Sequence, residues 1–143
     1  EWIQRHCMNV DENLTELFRR IVFNIAVSNC DDHLRNHGFI YSPKGWTLSP
    51  AYDLTPDPAG YGLKLNISET DNSLDFDLAL SIAPYLGIKK DKAMAIVEQI
   101  KSVVAEWRKV AKRYGISNSE QMLRLLCESG QKNLNSYFVN FCI

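Results

Sequence analysis

From Asp91 to Tyr114 the apolar residues Met94, Val97, Ile100, Val104, Trp107 and Ala111 recur at three- and four-residue intervals, which places them on one face of a helix. A helix with one apolar face must bury it against something, and the same period returns elsewhere in the chain. Between Asp11 and about Ser28, Leu14, Leu17, Phe18, Ile21, Val22 and Ile25 form a second stripe. Asp11 or Asn13 could cap that helix, and Glu12 and Glu16 suit the positive end of its dipole. The stretch "NSLDFDLALSIAPYLGI" supplies a third through Phe76, Leu78, Ala79, Ile82 and Leu86. Ser73 or Asp75 would cap it, and Pro84 should end or kink it. Gly115 is expected to stop the longest run, and Ser117 or Ser119 to start a further helix carrying Met122, Leu125 and Leu126.

Two short segments break the helical period. Gly38–Tyr41 and Trp46–Ser49 flank "SPKG", and aromatic and β-branched residues around a Pro/Gly turn predict a hairpin. "SPAYDLTPDPAGYG", with three of the five prolines, should be irregular. The expected fold is mainly α with one small β-hairpin after the first long helix, in a single domain over residues 1–143. A chain of 143 residues with 45% hydrophobic and 23% charged residues can build one real core and is not a disordered composition. Its net charge of -1 argues against broad electrostatic capture of nucleic acid or an anionic membrane. No apolar run reaches the ~18 residues of a membrane span. Cys7, Cys30, Cys127 and Cys142 are scattered without a CxxC pair, as in reduced thiols of a cytoplasmic protein. The sequence opens on Glu1 with neither an initiator Met nor a recognisable signal segment, so a piece of a longer protein is expected.

The chemistry gathers in "SNCDDHLRNHGFIYSPKGWTLSPAYDLTP", residues 28–56. Asp31 and Asn36 stand as D-x-x-x-x-N, and Asp53 follows the predicted hairpin. Phosphoryl transfer from ATP calls for this set: a carboxylate to accept a hydroxyl proton, and an amide oxygen with a second carboxylate to hold Mg²⁺ on the phosphates. The spacing lets Asp31 and Asn36 face one site from opposite ends of a tight loop, and the hairpin can return Asp53 to it. Protein kinases use the same spacing in their catalytic loop, with a later Asp on the metal.

"SNCDDHLRNHGF" followed by "WTLSPAYDLTP" resembles the C-terminal catalytic region of the HipA-like serine/threonine kinases, bacterial toxin kinases with a two-lobed fold related to protein and lipid kinases. The resemblance runs on through "LKLNISETDNSLDFDLALSIAPYLGI" into the longest helix, and it implies a kinase C-terminal lobe. It assigns Asp31 as the catalytic aspartate, Asn36 as the loop ligand of Mg²⁺ and Asp53 as the second metal- and ATP-binding aspartate. His33 matches the motif histidine, read here as a brace for the loop, and Arg35 is placed to balance phosphate charge. It also implies ATP and Mg²⁺ as cofactors, a serine in a protein substrate such as a translation component, and a helix-turn-helix antitoxin as partner. No strand set leading into a Gly-rich loop precedes the motif. The chain is thus expected to depend on a separate N-terminal lobe and to be inactive alone.

Blander readings exist for each residue. Asp31 and Asp32 could be a solvated pair ending a helix, Asn36 a turn residue, and Trp46 and Tyr52 packing residues. One rival is metal binding by Cys30, His33 and His37, with an oxygen from Asp31 or Asp53, although Gly38 argues against the helix that would align the histidines. The other is a non-catalytic helical interaction module presenting Trp2, Trp107 and the tail "NSYFVNFCI".

Overall fold

The structure, a computed structural model, describes residues 1–57 and 60–121. A short helix α1 (Trp2–His6) leads into the long α2 (Val10–Val27), then a 3₁₀ turn (Leu34–Asn36) and the hairpin β1 (Phe39–Ser42) and β2 (Gly45–Leu48). An irregular stretch connects to α3 (Phe76–Ile82), which tightens into a 3₁₀ turn (Ala83–Leu86). Helices α4 (Lys90–Ala105) and α5 (Trp107–Arg113) follow. The fold is mainly helical with one antiparallel hairpin, as the periodicity predicts. None of the described helices is long and apolar enough to cross a membrane.

Helix α2 is the axis of the domain. Phe18, Val22 and Ile25 on it are fully buried and pack with Ala79, Ala83, Ile88, Ala93, Ile96, Val97 and Ile100 of the later helices. Each large side chain so buried stabilises the fold by about 1.5–3 kcal/mol relative to exposure. A second side of α2 is also buried, and it is polar: Asn13, Arg20 and Asn24 stand seven and then four residues apart, on one face. The Asn13 side chain donates to the Met8 and Asn9 carbonyls and accepts from the Leu48 N–H at 2.6 Å and the Thr47 hydroxyl at 3.2 Å. Its amide thereby uses its full capacity of two donors and two acceptor positions. The Arg20 guanidinium donates to the Ser49 carbonyl and pairs with Glu16. These contacts fix the hairpin against the helix. Its strands pair Phe39 with Leu48 through Ser42 with Gly45, one residue further into "SPKG" on each side than the sequence pattern implies.

Three expectations are corrected. The first helix is capped neither by Asp11 nor by Asn13: Asn9, in the left-handed region at φ 49, is the N-cap, while Asn13 reaches back from inside the helix. The run Asp91–Tyr114 is two helices. Glu106 (φ -82, ψ 2) interrupts it, and the bonds tighten to a three-residue reach there, Glu106 N–H to Val103 O and Lys109 N–H to Glu106 O. Neither Gly nor Pro marks that break, so the hydrophobic period reads straight through it. In the buried face of α4, Val97 and Ile100 lie inside as predicted, but Ala93 and Ile96 join them in place of Met94, which is 46% exposed. Ala93 lets the helix backbone come close to its neighbours, where a methionine would hold it off. Asp75 caps α3 as expected, accepting from the Asp77 N–H, and Pro84 lies in the 3₁₀ turn that ends it. Ser117 and Glu120 form a reciprocal capping box, whereas Met122, Leu125, Leu126, Cys127, Cys142 and the aromatic tail lie outside the described residues. Cys7 and Cys30 are free thiols.

Candidate active site

Helix α2 ends where the polar segment begins. Ser28 takes a left-handed conformation (φ 54, ψ 44), and the Asn29 N–H bonds back to the Asn24 carbonyl at 2.9 Å. That is the hydrogen bond of a Schellman stop, made here without glycine. Asn29 is buried, and its side-chain amide donates to Asn24 Oδ1 at 3.1 Å. The last residue of the polar stripe on α2 thus sets where the D-x-x-x-x-N loop leaves the helix.

The loop is closed from inside. Asp32 is only 4% exposed, and His37 Nε2–H donates to its carboxylate at 2.9 Å. Between these ends the chain makes one 3₁₀ turn, held by Asn36 N–H to His33 O at 2.8 Å and His37 N–H to Leu34 O at 3.2 Å. Asp31 precedes the buried pair and points to solvent, while the Asn36 amide nitrogen donates to the Asp31 carbonyl at 3.4 Å. With the nitrogen turned to the loop's own backbone, Oδ1 is the Asn36 atom left to face a ligand.

The Asp53 segment is tied to this loop on both sides. The Tyr52 hydroxyl donates to the Arg35 carbonyl at 2.6 Å, and Asn29 Nδ2 lies 3.5 Å from the Asp53 carbonyl. The hairpin base closes through Ser49 N–H to Gly38 O at 2.9 Å. Gly38 suits this close packing: a Cβ would stand 3.1 Å from the Tyr52 hydroxyl oxygen and 3.2 Å from Ser49 Oγ, so those side chains would have to give way by a few tenths of an ångström. Asp53 itself is exposed with φ 56, in the left-handed region that costs an ordinary residue roughly 1–2 kcal/mol. Strained backbone of this kind concentrates at functional sites.

Lys64 completes the charge arrangement. Its N–H donates to the Cys30 carbonyl at 3.1 Å, and its ammonium forms an ion pair with Asp31. The Lys64 hydrogen bond and charge hold the Asp31 carboxyl below the usual carboxylate range. Burial, then the nearby Asp57 carboxylate, push the Cys30 thiol upward. The Arg35 guanidinium donates to His33 Nε2 at 3.4 Å.

Asp31, Asn36, Arg35 and His33 therefore share one loop, and the backbone that carries Asp53 is hydrogen-bonded to it. Asp32, in contrast, is no solvated partner of Asp31: it and His37 close the loop, the bracing role expected of His33. Tyr52 anchors rather than stacks, and Trp46 packs against Trp2 and Tyr41. Trp2 is exposed, as the interaction-module reading requires, while Trp107 is half-buried. Cys30, His33 and His37 do not assemble: among the described residues no group of three or more His, Cys, Asp or Glu is placed to hold a metal ion. The oxygen donors suit Mg²⁺ better, because magnesium needs only one or two carboxylates and takes the rest of its shell from water and phosphate. Sequence reasoning missed Asn24, Asn29 and Lys64. For the first there was a signal, the polar face Asn13–Arg20–Asn24. For Lys64 there was the alternation of "LKL", which sends Leu63 into the core and Lys64 outward.

The mainly helical domain thus presents a closed D-x-x-x-x-N loop to which the backbone of the Asp53 segment is hydrogen-bonded. The family model described as "HipA-like C-terminal domain" matches residues 1–107, three quarters of the chain, and the protein belongs to that family. No curated protein and no solved structure matches it.

Proposed function

We propose that this domain is the C-terminal catalytic lobe of a HipA-like serine/threonine protein kinase, working in the cytoplasm. The observation that carries the reading is the hydrogen-bonded union of the Asp31–Asn36 loop with the Asp53 segment, in a chain of this family. Asp31, ionised and solvent-facing, orients a substrate serine hydroxyl and accepts its proton as the serine oxygen bonds to the γ-phosphorus of ATP. The bond from that phosphorus to the bridging oxygen breaks, and ADP departs with its electrons. Mg²⁺ bound by Asn36 and Asp53 would neutralise charge on the phosphates. Arg35 adds positive charge at the loop, and His33 holds the Arg35 guanidinium. A strand-rich N-terminal lobe is needed to cover the nucleotide, so these 143 residues alone should bind Mg-ATP at about millimolar strength, near −4 kcal/mol, and turn over none. The protein substrate, a translation component, and a helix-turn-helix antitoxin as partner are part of the same proposal.

Mn²⁺ in place of Mg²⁺ tests the assignment, because its paramagnetism broadens nearby NMR signals. Titrating Mn-ATP into the chain should broaden the amides of residues 31–36 and 53 before any others. Broadening centred elsewhere, or none in the millimolar range, would remove the kinase reading. A second reading, a non-catalytic interaction module, is favoured by the exposed rings of Trp2 and Tyr41 around the Phe39–Trp46 cluster. It predicts no nucleotide response at all.

A further inference from the structure

The Lys64–Asp31 ion pair joins the proposed base to a cation that the kinase motif does not include, 33 residues along the chain. Lys64 is not there by chance of a flexible surface. Leu63 beside it is buried, its N–H donates to the Asn72 carbonyl at 2.7 Å, and the Asn72 amide returns a bond to the Leu63 carbonyl at 2.6 Å. The Lys64 N–H then bonds Cys30, the residue before Asp31. With Leu63 buried and the Lys64 backbone tied to Cys30, the Lys64 side chain starts beside the loop and reaches Asp31. The backbone is fixed and the ammonium is free to travel: the Lys64 and Asp31 side chains are 62% and 61% exposed.

The charge around the loop asks for such a cation. Asp31, Asp32, Asp53 and Asp57 all lie on or beside it, and a nucleotide triphosphate would bring several more negative charges. Arg35 is engaged with His33. An exposed ion pair between one lysine and one carboxylate is weak, so a polyphosphate competes for that ammonium easily. A charge-assisted bond to phosphate is the stronger of the two.

We propose that Lys64 is a phosphate-binding residue of this site: it occupies Asp31 in the nucleotide-free protein and moves to the terminal phosphate when nucleotide binds, leaving Asp31 open to the substrate hydroxyl. The inference rests on the kinase reading above and adds to it a cation on this lobe. Lys64 then acts as a latch as well as a ligand, since Asp31 is blocked until the phosphate that it serves has arrived.

NMR titration of the chain with Mg-ATP and with Mg-ADP, in wild type, Lys64→Met and Lys64→Arg, separates the possibilities. That terminal phosphate is the γ-phosphate, which ADP lacks, so Lys64→Met should weaken Mg-ATP about tenfold and leave Mg-ADP within about twofold. Lys64→Arg should keep most of the ATP affinity. Lys44→Met, in the exposed hairpin turn, controls for net charge and should change neither. Equal losses for both nucleotides, or no loss for either, in Lys64→Met would overturn the Lys64 assignment while the kinase reading stands. A wild-type chain with no saturable response to Mg-ATP would overturn both.

Discussion

Replacing Asn13 by alanine should cost this domain about 2–3 kcal/mol, though Asn13 touches no ligand group. The Leu48 N–H, buried and bonded to Asn13 Oδ1 at 2.6 Å, would lose its acceptor, which costs about 2 kcal/mol for a donor that water cannot reach. The bonds to Thr47 and to the Met8 carbonyl add about 1 kcal/mol net. Alanine returns about 0.6 kcal/mol through its higher helix propensity. Urea unfolding followed by tryptophan fluorescence reads the loss as a lower midpoint at unchanged slope. Hydrogen exchange locates it, because the Leu48 amide should lose protection while amides of the α2–α4 core keep theirs. Thr47→Val removes one partner only and should cost less than about 1 kcal/mol. A destabilisation by Asn13→Ala below about 1 kcal/mol, with Leu48 still protected, would refute the claim that this side chain holds the hairpin.

On the function proposed above, Asp53→Asn should abolish metal-dependent phosphate transfer assayed with an N-terminal lobe supplied, without lowering the melting temperature, since asparagine accepts the left-handed backbone at φ 56. Asp53→Ala should lose the same activity and about 1 kcal/mol of stability besides; equal stability of the two variants in thermal unfolding would contradict the strain. The Asp31 carboxyl, held below its ordinary value by Lys64, should titrate lower than free aspartate by carbon-13 NMR, and Lys64→Met should raise it toward the usual range. A folded value below the unfolded one means the pair favours folding above the unfolded pKa. That small contribution fades as pH falls through the folded pKa, so Lys64→Met should flatten the acid limb of the stability profile. Ser117→Ala should raise the Glu120 carboxyl part of the way toward its ordinary value by removing the Ser117 hydroxyl bond, the larger cause of its depression, while the Ser117 N–H bond remains; NMR titration checks this too.

How much of this was legible depended on what kind of force placed each residue. The apolar faces of α2 and α3 follow from periodicity because burial of Phe18, Val22 and Ile25 is a local pattern with a global reward. The same logic failed at Glu106 and Met94. There the deciding quantities were the direction in which a helix had to turn and the distance at which Ala93 packs, and neither is written in the period. The D-x-x-x-x-N spacing and the later aspartate were readable as chemistry. The device that closes the loop was not, because Asp32 and His37 look like solvated neighbours of more conspicuous residues until burial shows them paired. Lys64 reaches Asp31 only through the irregular stretch whose course the prolines obscure.

The polar stripe of α2 explains how a site without a deep sheet behind it can be held to a fixed geometry. Asn13 sets the second strand, Arg20 sets Ser49 just past it, and Asn24 sets Asn29 at the head of the loop. These three residues lie at successive heights on one rigid helix, so the hairpin, the Asp53 segment and the Asp31 loop are each measured from the same reference. An apolar face in their place would bury as much area and let the hairpin slide, since dispersion contacts have no preferred register. Hydrogen bonds to named backbone atoms do have one. Asn13 has every one of its side-chain groups met, whereas Arg20 Nη1, Asn24 Nδ2 and Asn29 Oδ1 are buried with no hydrogen-bond partner among the described residues, so part of the cost of the stripe is not offset. What that cost secures is register: a two-stranded hairpin, an element that by itself is marginal in water, is fixed to α2, and the Asp53 backbone that follows it is tied to the loop through Asn29 and Tyr52.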